Sequence, residues 1–534
     1  MKLINKYLTL GLMAGTLTAA TSCSDSFLQK DSLTEISSST FWQTPEDALM
    51  ALTACYDALQ SNWLYNADQY TFGPLYMECI SDNGGHFNWS GWVPGYDVAM
   101  GIQNSSSWVF SDYWNACYET INRCNLLISN VDRVEGLSDS DKECYKAEAI
   151  VLRSLMYINL TITYQDVPYL TEPLTLDNAE CAKTDRETIV ESVMTDLKAC
   201  VEVLPQTADR GRITKGAALA ILGRMALYNE KWADAIAAYR EIMGLGYSLY
   251  DDYDELFTQT GETSNEIIFA VRYEGPGVSE GAAYNAHWNT PLEAMNGTLD
   301  LADDYYMQAT GLKTTDTNYG VMKSDGTLDV SQPNAAHFEG RDPRLYTTLF
   351  VPGMCWNGKG GEGAWYGGAA ASLSMVYVMK YFDDTDTNNS WDNGQDFYIV
   401  RYAEVLLSLA EALVQSGEYD EVEVRSLINQ IRQRPTVDMP RVEDVEGTGL
   451  SAERLLEIIK HERRVELAFE GLRLFDVYRW HELDKAVANI EHERTSLGLA
   501  YEARTYNGER DYVWPIPLSE LESNSMLEQH ELWK

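Results

Sequence analysis

Apolar residues recur along most of the chain with the three-to-four-residue spacing of an amphipathic helix. The first such stripe includes Ala48, Leu52 and Leu59, and it follows a Thr44-Pro45 helix start with proline in the first turn. Further stripes predict helices over 113–131, 141–164, 185–203, 215–229, 232–243, 399–416, 421–434, 451–469 and 472–487. Strand signals are few and short, as at 267–271. The pattern therefore predicts a mostly α-helical protein.

Two of these helices, 215–229 and 232–243, are separated only by Glu230-Lys231 and form a tight pair. The first carries small residues that let two helices approach closely, namely Ala217, Ala218, Ala220 and Ala226. Trp232 and Tyr239 of the second face back onto them. The pair resembles one tetratricopeptide unit, which cannot bury both of its faces alone, so we expect further helices to stack beside it.

The residue pattern changes between about 273 and 395, where Gly, Asn, Asp, Thr and aromatic residues follow one another without long periodicity. Irregular segments of this length in a compact protein are usually functional. We therefore interpret the chain as a helical scaffold that carries a loop-rich region.

The first residues have the pattern of a secretory signal peptide over 1–22, with Lys2 and Lys6 before an apolar stretch and small residues up to Cys23. A cysteine after small residues resembles a bacterial lipobox, in which Cys23 would become the acylated N-terminus. Ala20 departs from that pattern, which usually has Leu, and an ordinary signal peptide with an incidental cysteine is the alternative. No later segment reaches the ~18–20 apolar residues of a membrane span.

Charge narrows the classes of partner. The chain has 81 acidic and 40 basic residues, a formal net charge of −41. Such a field repels phosphate backbones and anionic lipid, so we expect no nucleic-acid partner and no electrostatic membrane docking.

No cofactor is expected. The cysteines show no CxxC and no Cys/His cluster, so a zinc site is not predicted, and Cys55, Cys117, Cys124 and Cys200 fall on apolar helix faces. Residues 383–389 alternate oxygen-bearing side chains that could hold Ca²⁺. They lack the turn glycine, and Gln395 stands where a bidentate Glu is needed, so a solvated acidic loop is the preferred interpretation.

The run 462–473 contains Glu462, Glu466 and Glu470 at four-residue spacing, and Arg463 and Arg473 within helical reach of them. A glycosidase needs two carboxylates with separated pKa values beside an open cleft. Arginine neighbours instead lower carboxyl pKa values, so we predict a buried ion-pair lattice that joins helices. No GxSxG, HExxH or Walker loop is present, and the protein is not predicted to be an enzyme.

A series of blocks along the chain carries a family resemblance: 41–48 (FWQTPEDA), 147–154 (AEAIVLRS), 166–168 (DVP), 211–218 (GRITKGAA), 342–345 (DPRL), 401–412 (RYAEVLLSLAEA), 462–473 (ERRVELAFEGLR) and 514–517 (WPIP). In this order they resemble the motifs of the SusD/RagB family of Bacteroidetes outer-membrane lipoproteins. The run 462–473, closing into Asp476 and Arg479-Trp480, is the most specific. The blocks span nearly the whole mature chain.

The resemblance implies a tetratricopeptide-like scaffold of four helix pairs with an irregular ligand face. One SusD-like domain would cover 23–534, with the scaffold at about 40–272 and 396–487, the ligand face at about 273–395 and a C-terminal segment at 488–534. Such proteins sit on the cell surface, capture glycans and hand them to a TonB-dependent transporter of the SusC type. Membrane attachment would come from the lipid on Cys23.

The candidate ligand-binding residues lie in three aromatic segments among turn-forming residues, at 86–96, 284–296 and 356–366. Flat aromatic rings match the apolar faces of sugars, and amides meet their hydroxyl groups. The candidates are Asn88, Trp89, Trp92, Tyr96, Tyr284, Trp288, Asn296 and Trp365. For each tryptophan the alternative is core packing or the transporter interface, whereas we assign Trp114, Tyr118, Tyr157 and Trp232 on helices to the core.

Two other functions remain open at this point. A tetratricopeptide scaffold could use the same aromatic loops to bind peptide or protein. An extracellular hydrolase is the third alternative, and it has the weakest support from the motifs.

Overall fold

The computed structural model describes residues 41–67, 73–86, 94–278, 280–283, 295–354, 374–382, 391–500 and 502–534. In these ranges there are eighteen α-helices. They are α1 (Pro45–Asp57), α2 (Leu75–Ile80), α3 (Tyr96–Met100), α4 (Trp108–Asn130), α5 (Asp139–Thr163), α6 (Arg186–Val203), α7 (Lys215–Tyr228), α8 (Trp232–Met243), α9 (Tyr253–Leu256), α10 (Leu299–Asp304), α11 (Arg344–Thr348), α12 (Tyr402–Ser416), α13 (Glu421–Arg432), α14 (Val442–Glu446), α15 (Ala452–Leu467), α16 (Arg473–Arg479), α17 (Leu483–Leu497) and α18 (Leu518–Ser523). The prediction of a mostly helical fold is confirmed.

Short strands complete the described structure: β1 (Gly84–His86), β2 (Ile267–Val271), β3 (Met295–Gly297), β4 (Gly320–Met322), β5 (Leu328–Pro333), β6 (Leu349–Phe350), β7 (Tyr377–Val378) and β8 (Phe397–Arg401). They form a four-stranded sheet in the order β1-β3-β7-β6 and the pairs β2-β8 and β4-β5. The region 273–395 therefore contains regular elements, but each is six residues or shorter where it is described, which is why no long periodicity marks it.

Helix starts follow the sequence signals. The Thr44 hydroxyl accepts the Asp47 backbone N–H at 3.3 Å, and the Asp47 carboxylate accepts the Thr44 N–H at 2.8 Å, so α1 begins with a capping box. Thr214 caps α7 and Ser451 caps α15 in the same position. These local bonds fix the helix ends that the sequence predicts.

The long helices stack in chain order, α4 on α5, α5 on α6, α6 on α7 and α7 on α8, and α8 then packs on α12. In the tight pair α7–α8, a Cβ at Gly223 would lie 2.6 Å from Cε1 of Tyr239, so only a residue without a side chain permits this approach. The predicted close helix pair is confirmed. Cys55, Cys117, Cys124 and Cys200 are buried, as predicted, and so are Trp114, Tyr118 and Tyr157, while Trp232 is partly buried against the core.

Two helices were predicted wrongly, one at its start and one as a single helix. The stretch 399–401 belongs to β8, and α12 begins only at Tyr402. The helix predicted over 472–487 is two helices, because His481 has a left-handed φ of 56° between them and the N–H of Leu483 donates to the Tyr512 hydroxyl at 2.9 Å. A tertiary hydrogen bond overrides the local pattern at this position.

A buried ion-pair network joins the helical scaffold to the region between 273 and 395. Its carboxylates are Glu266, Glu462, Glu466 and Glu470, and its cations are Arg344, Lys380, Arg401, Arg432 and Arg434. Glu466 on α15 lies 2.6 Å from Arg401 Nη1, 2.8 Å from Arg344 Nη1 and 3.1 Å from Arg434 Nη2. All three guanidinium groups come from other elements, so α15 is tied to α11, β8 and the end of α13.

The predicted lattice is present, but its predicted partners were wrong. Arg463 pairs with Asp476 at 3.0 Å and Arg473 pairs with Asp82 at 2.7 Å. Glu470 lies beyond the end of α15, where it contacts Lys380 at 2.6 Å. Charged residues that lie close together in the run 462–473 are therefore not each other's ion-pair partners.

The network keeps the carboxylates of Glu462, Glu466 and Glu470 ionised. Burial by itself raises the pKa of Glu462, but the charges of Arg344 and Arg432 outweigh it and lower the pKa to about 2. Arg401, Arg434 and Arg344 lower the pKa of Glu466 in the same way. Because these pKa values are lower in the folded state, the network stabilises the fold above pH ~4.5 and loses that contribution as the pH falls below it.

We expect Glu466→Gln to reduce the free energy of unfolding at pH 7 by about 3–5 kcal/mol, because three buried guanidinium groups lose a shared charge. The difference from wild type should shrink as the pH falls below ~4.5, where the wild-type carboxylates take up protons on unfolding. Urea unfolding across pH measures both effects. Glu453→Gln, at an exposed position of the same helix, is the control and should change stability by less than about 0.5 kcal/mol. Equal losses in the two variants would contradict the role of the network.

Candidate ligand-binding site

The β1-β3-β7-β6 sheet connects the predicted aromatic segments. His86 at the end of β1 pairs with Met295 at the start of β3 in an antiparallel register. The segment 87–93 leaves the sheet directly after His86, and 284–294 enters it directly before Met295. Two of the three aromatic segments are therefore attached at the same end of the sheet, although His86 and Met295 are 209 positions apart in the chain.

The third aromatic segment belongs to the other end of the same sheet. β6 and β7 are antiparallel, with Phe350 opposite Tyr377, and the chain between them contains 355–373. Since strands of two or three residues rise only ~3.3 Å per residue, the two ends of the sheet are roughly 10 Å apart. The sheet thus anchors all three segments within a small area.

Most of the predicted site residues fall outside the described ranges. These are Asn88, Trp89, Trp92, Tyr284, Trp288 and Trp365, together with Cys23 and the acidic run 383–389. In the ranges that are described, no group of three His, Cys, Asp or Glu side chains could hold a metal ion. No helix in those ranges is both long and apolar enough to cross a membrane. The predicted roles of the residues outside the described ranges stay predictions.

Tyr96 was predicted to lie in an exposed turn, but the structure places it at the start of a helix. It is the first residue of α3, after Gly95 with a left-handed φ of 77°. Its half-buried ring meets the imidazole of His86 edge to face, with ring centroids 5.9 Å apart. Burial raises the pKa of the Tyr96 phenol, and the nearby Glu502 charge adds to that rise. Tyr96 therefore supports the base of the site and keeps one part of its ring exposed.

Asn296 was also predicted on a loop, and the structure places it in the middle of β3, opposite Gly85 and Tyr377. Its side chain is 1% exposed, and among the described residues neither the amide oxygen nor the amide nitrogen has a hydrogen-bond partner. Burying an amide without partners costs roughly 1–3 kcal/mol. An unsatisfied amide at the centre of the sheet points to a missing polar partner.

His86 and Glu502 are site residues that sequence reasoning missed. The His86 backbone N–H donates to Glu502 Oε1 at 2.7 Å, and Nδ1 of its ring lies 2.8 Å from the same oxygen. Arg504 holds Glu502 at 3.0 Å and donates to the carbonyl oxygens of Cys79 and Gly84. Nothing in the sequence connects positions more than 400 residues apart, so no local signal could have found this anchor.

A separate cleft of about 400 Å³ is lined by Arg210, Arg212, Arg272, Glu262 and Asp396, among others. Its guanidinium groups are already paired: Arg210 lies 2.6 Å from Asp396, and Arg212 donates to Glu148. Burial and the Asp396 charge raise the pKa of Glu262 to about 7. This cleft was not predicted either, and its paired charges favour a structural link over an open binding site.

Two family models match the chain. Residues 265–533 match the model of the SusD family, and residues 44–227 match a model described as "starch-binding associating with outer membrane". The chain belongs to the SusD family. The resemblance seen in the sequence blocks is confirmed.

SusD-like relatives cover almost the whole chain. SusD-like protein P25 of Formosa agariphila is 25% identical over 95% of each protein, and a SusD-like protein of Bacteroides ovatus is 25% identical over 88% of this chain and 82% of its own. A SusD-like carbohydrate-binding protein from Bacteroides fragilis has a TM-score of 0.75 and 25% identity, over 92% of this chain and all of its own. A laminarin-binding SusD-like protein has a TM-score of 0.70 at 22% identity, with the same coverage. The helical scaffold is that of the SusD fold.

In this SusD-family protein we expect Asn296→Leu to raise the free energy of unfolding by about 1 kcal/mol, because it removes an unpartnered buried amide at similar volume. Asn125→Leu is the matched control. Asn125 is also 1% exposed, but its amide donates to Leu170 and Glu172 and accepts from Arg153 at 2.8–3.1 Å. That variant should lose about 3 kcal/mol. Chemical denaturation of both variants decides the point, and a comparable loss in Asn296→Leu would mean that its amide is satisfied in the free protein.

Proposed function

We propose that this protein binds a glycan at the end of the β1-β3-β7-β6 sheet to which segments 87–93 and 284–294 are attached. The observation that carries the proposal is the pairing of His86 with Met295, which attaches two aromatic segments side by side. Membership of the SusD family supports it, and so does the likeness to a SusD-like carbohydrate-binding protein.

The residue types suit a sugar ligand. Trp89, Trp92 and Trp288 would stack on the apolar faces of sugar rings, with Trp365, Tyr96 and Tyr284 extending the surface. Asn88 and Asn296 would exchange hydrogen bonds with hydroxyl groups, and a sugar hydroxyl or an ordered water would satisfy the Asn296 amide. Neutral rings of this kind need no charge steering, so the acidic chain is compatible with the ligand.

The protein would bind the glycan without cleaving it. The carboxylates of the 462–473 run are committed to buried ion pairs, and their lowered pKa values make them poor general acids. We propose that the bound glycan passes to a partner TonB-dependent transporter of the SusC type. The description of the second family model, with its association with the outer membrane, supports a location there.

The double variant Trp89→Ala/Trp92→Ala should lose binding by about thirtyfold or more, since stacking contributes about 1–3 kcal/mol per ring by analogy with other ring stacking. Affinity electrophoresis against a polysaccharide panel that includes starch and laminarin measures the loss. Trp533→Ala is the control. This ring packs on Phe110 and Arg510 near the C-terminus, and its loss should leave binding unchanged.

Wild-type protein that no polysaccharide retards, but that still binds peptides, would replace this proposal with the peptide-binding scaffold. Release of reducing sugar during incubation with the panel would instead indicate a hydrolase. Retardation of wild type, its loss in the double variant and its survival in Trp533→Ala together support the glycan site.

Attachment to the outer membrane is proposed to depend on acylation of Cys23. Cys23→Ala should abolish incorporation of an alkyne-labelled fatty acid and move the protein from the membrane fraction to the soluble fraction. Cys181→Ala, at a partly buried cysteine of the folded domain, should keep both the label and the membrane location. Unchanged labelling of Cys23→Ala would reject the lipid anchor while leaving the glycan proposal intact.

A further inference from the structure

A second cleft lies on the helical scaffold, between α4, the segment that follows α5, and α18. Its lining residues come from 114–122, 168–181 and 520–527, and all of these ranges are described. Its volume is about 430 Å³, within the range of roughly 300–1,000 Å³ that small-molecule sites occupy. None of its lining residues belongs to the β1-β3-β7-β6 sheet. The cleft is therefore separate from the proposed glycan site.

The floor of this cleft is apolar. Trp114 and Tyr118 of α4 are 3% and 9% exposed, and their ring centroids lie 4.8 Å apart at an interplanar angle of 41°. The Tyr118 hydroxyl donates to the Pro168 carbonyl at 2.7 Å, so its polar atom is already satisfied. Leu170 and Leu527 complete the floor. Such a surface suits a flat apolar body that needs few hydrogen bonds.

The charge around the cleft has one sign. Its lining contains Glu119, Glu180 and Glu520, and none of the described residues that line it is Lys, Arg or His. Two of these carboxylates have partners. Glu119 pairs with Arg123 at 2.6 Å, and Glu180 accepts the Ser525 hydroxyl at 2.6 Å. Glu520 is left as the carboxylate to explain.

The carboxylate of Glu520 is half-buried, and within the described part of the chain it has neither an ion pair nor a hydrogen bond. Burial raises its pKa, and no cation opposes that rise. Cys181 and Tyr118 face it from the other two walls. Burial and the Glu520 charge raise the pKa values of both groups, so neither becomes a cation. A carboxylate withdrawn from water without a counterion strongly favours a positively charged ligand.

The arrangement of oxygen atoms favours an organic cation over a metal ion. In the described ranges, no three His, Cys, Asp or Glu side chains come close enough together to hold a metal. A single unpaired carboxylate balances one positive charge. The apolar floor next to it needs a partner with a hydrophobic part.

We propose that the cleft between α4, the segment after α5 and α18 binds a small organic ammonium ion with a flat apolar body. The ammonium group pairs with the Glu520 carboxylate, and the body lies on the floor formed by Trp114 and Tyr118. Binding there does not depend on the glycan site or on a partner protein.

The first measurement is isothermal titration of the folded protein with phenethylammonium at pH 7. Wild type should bind at least about tenfold more tightly than Glu520→Gln, the worth of a charge-assisted hydrogen bond. Glu522→Gln is the matched control, because Glu522 is an exposed carboxylate of the same helix. It should stay within about twofold of wild type. Glu520→Gln breaks no described ion pair, so its thermal unfolding should match that of wild type.

Two further probes separate the charge from the body. 2-Phenylethanol has the same ring without the charge, and it should bind equally weakly to wild type and Glu520→Gln. Ethylammonium has the charge without the ring, and it should bind wild type more weakly than phenethylammonium does. Lowering the pH from 7 to 4 should weaken phenethylammonium binding to wild type, because Glu520 with its raised pKa takes up a proton. Alkyl ammonium groups titrate near the Lys value of about 10.4, so the probe stays charged.

Ala179→Trp tests the location. Ala179 is exposed and lines the cleft, so the larger side chain should fill it and abolish binding while the protein stays folded. Retained binding in that variant would place the ligand elsewhere and overturn the proposal. Equal affinities of wild type and Glu520→Gln would do the same.

An equal loss in Glu522→Gln would show only a general attraction of cations to an acidic surface, which also rejects the site. If a lysine-containing peptide binds through Glu520 but phenethylammonium does not, the small-ligand proposal is wrong and a protein partner replaces it. Tight phenethylammonium binding that Glu520→Gln and Ala179→Trp both remove, and Glu522→Gln preserves, supports the site.

Discussion

The ionised carboxylate of Glu466 is the point on which the rest of the structure depends. Three guanidinium groups meet it, from β8, from α11 and from the residue pair after α13. Isolated burial of such charges would cost several kcal/mol per ion, so the network is stable only when it is complete. Because its members come from the helical scaffold and from the region between 273 and 395, the network holds that region to the scaffold. The β1-β3-β7-β6 sheet can then remain small.

The sequence predicts most of the scaffold because the signals for helix formation lie in residues close together in the chain. Periodicity and caps place α1, α5, α6, α7 and α8 within a few residues of their observed bounds. The errors occur where a distant group intervenes, as at the Leu483–Tyr512 hydrogen bond that separates α16 from α17. The partners of Glu466 lie 32 to 122 residues away, so helical spacing within 462–473 indicates a charged lattice but not its pairs.

In the candidate site, too, the sequence predicts the local features but not those that depend on distant residues. Aromatic residues among Gly, Pro and Asn mark the segments 87–93 and 284–294, since this composition suits neither a helix nor a core strand. Their common attachment to one sheet depends on strands of two or three residues, which are too short to leave a pattern. Asn296 illustrates the limit: its amide suggested a ligand contact, while its burial in β3 depends on β1 and β7 on either side.

The shortness of those strands has a consequence for how such a protein can diversify. Strands this short share few hydrogen bonds, and the free energy that holds the domain together resides mainly in the helices and the ion-pair network. Segments 87–93 and 284–294 are each attached to this sheet at one end, and they can change in length and composition at little cost to the fold because loop-closure entropy grows slowly with length. Under the proposed function, one scaffold would in this way present many recognition surfaces, and exchange of 87–93 or 284–294 between relatives would be a practical route to redirect what is bound.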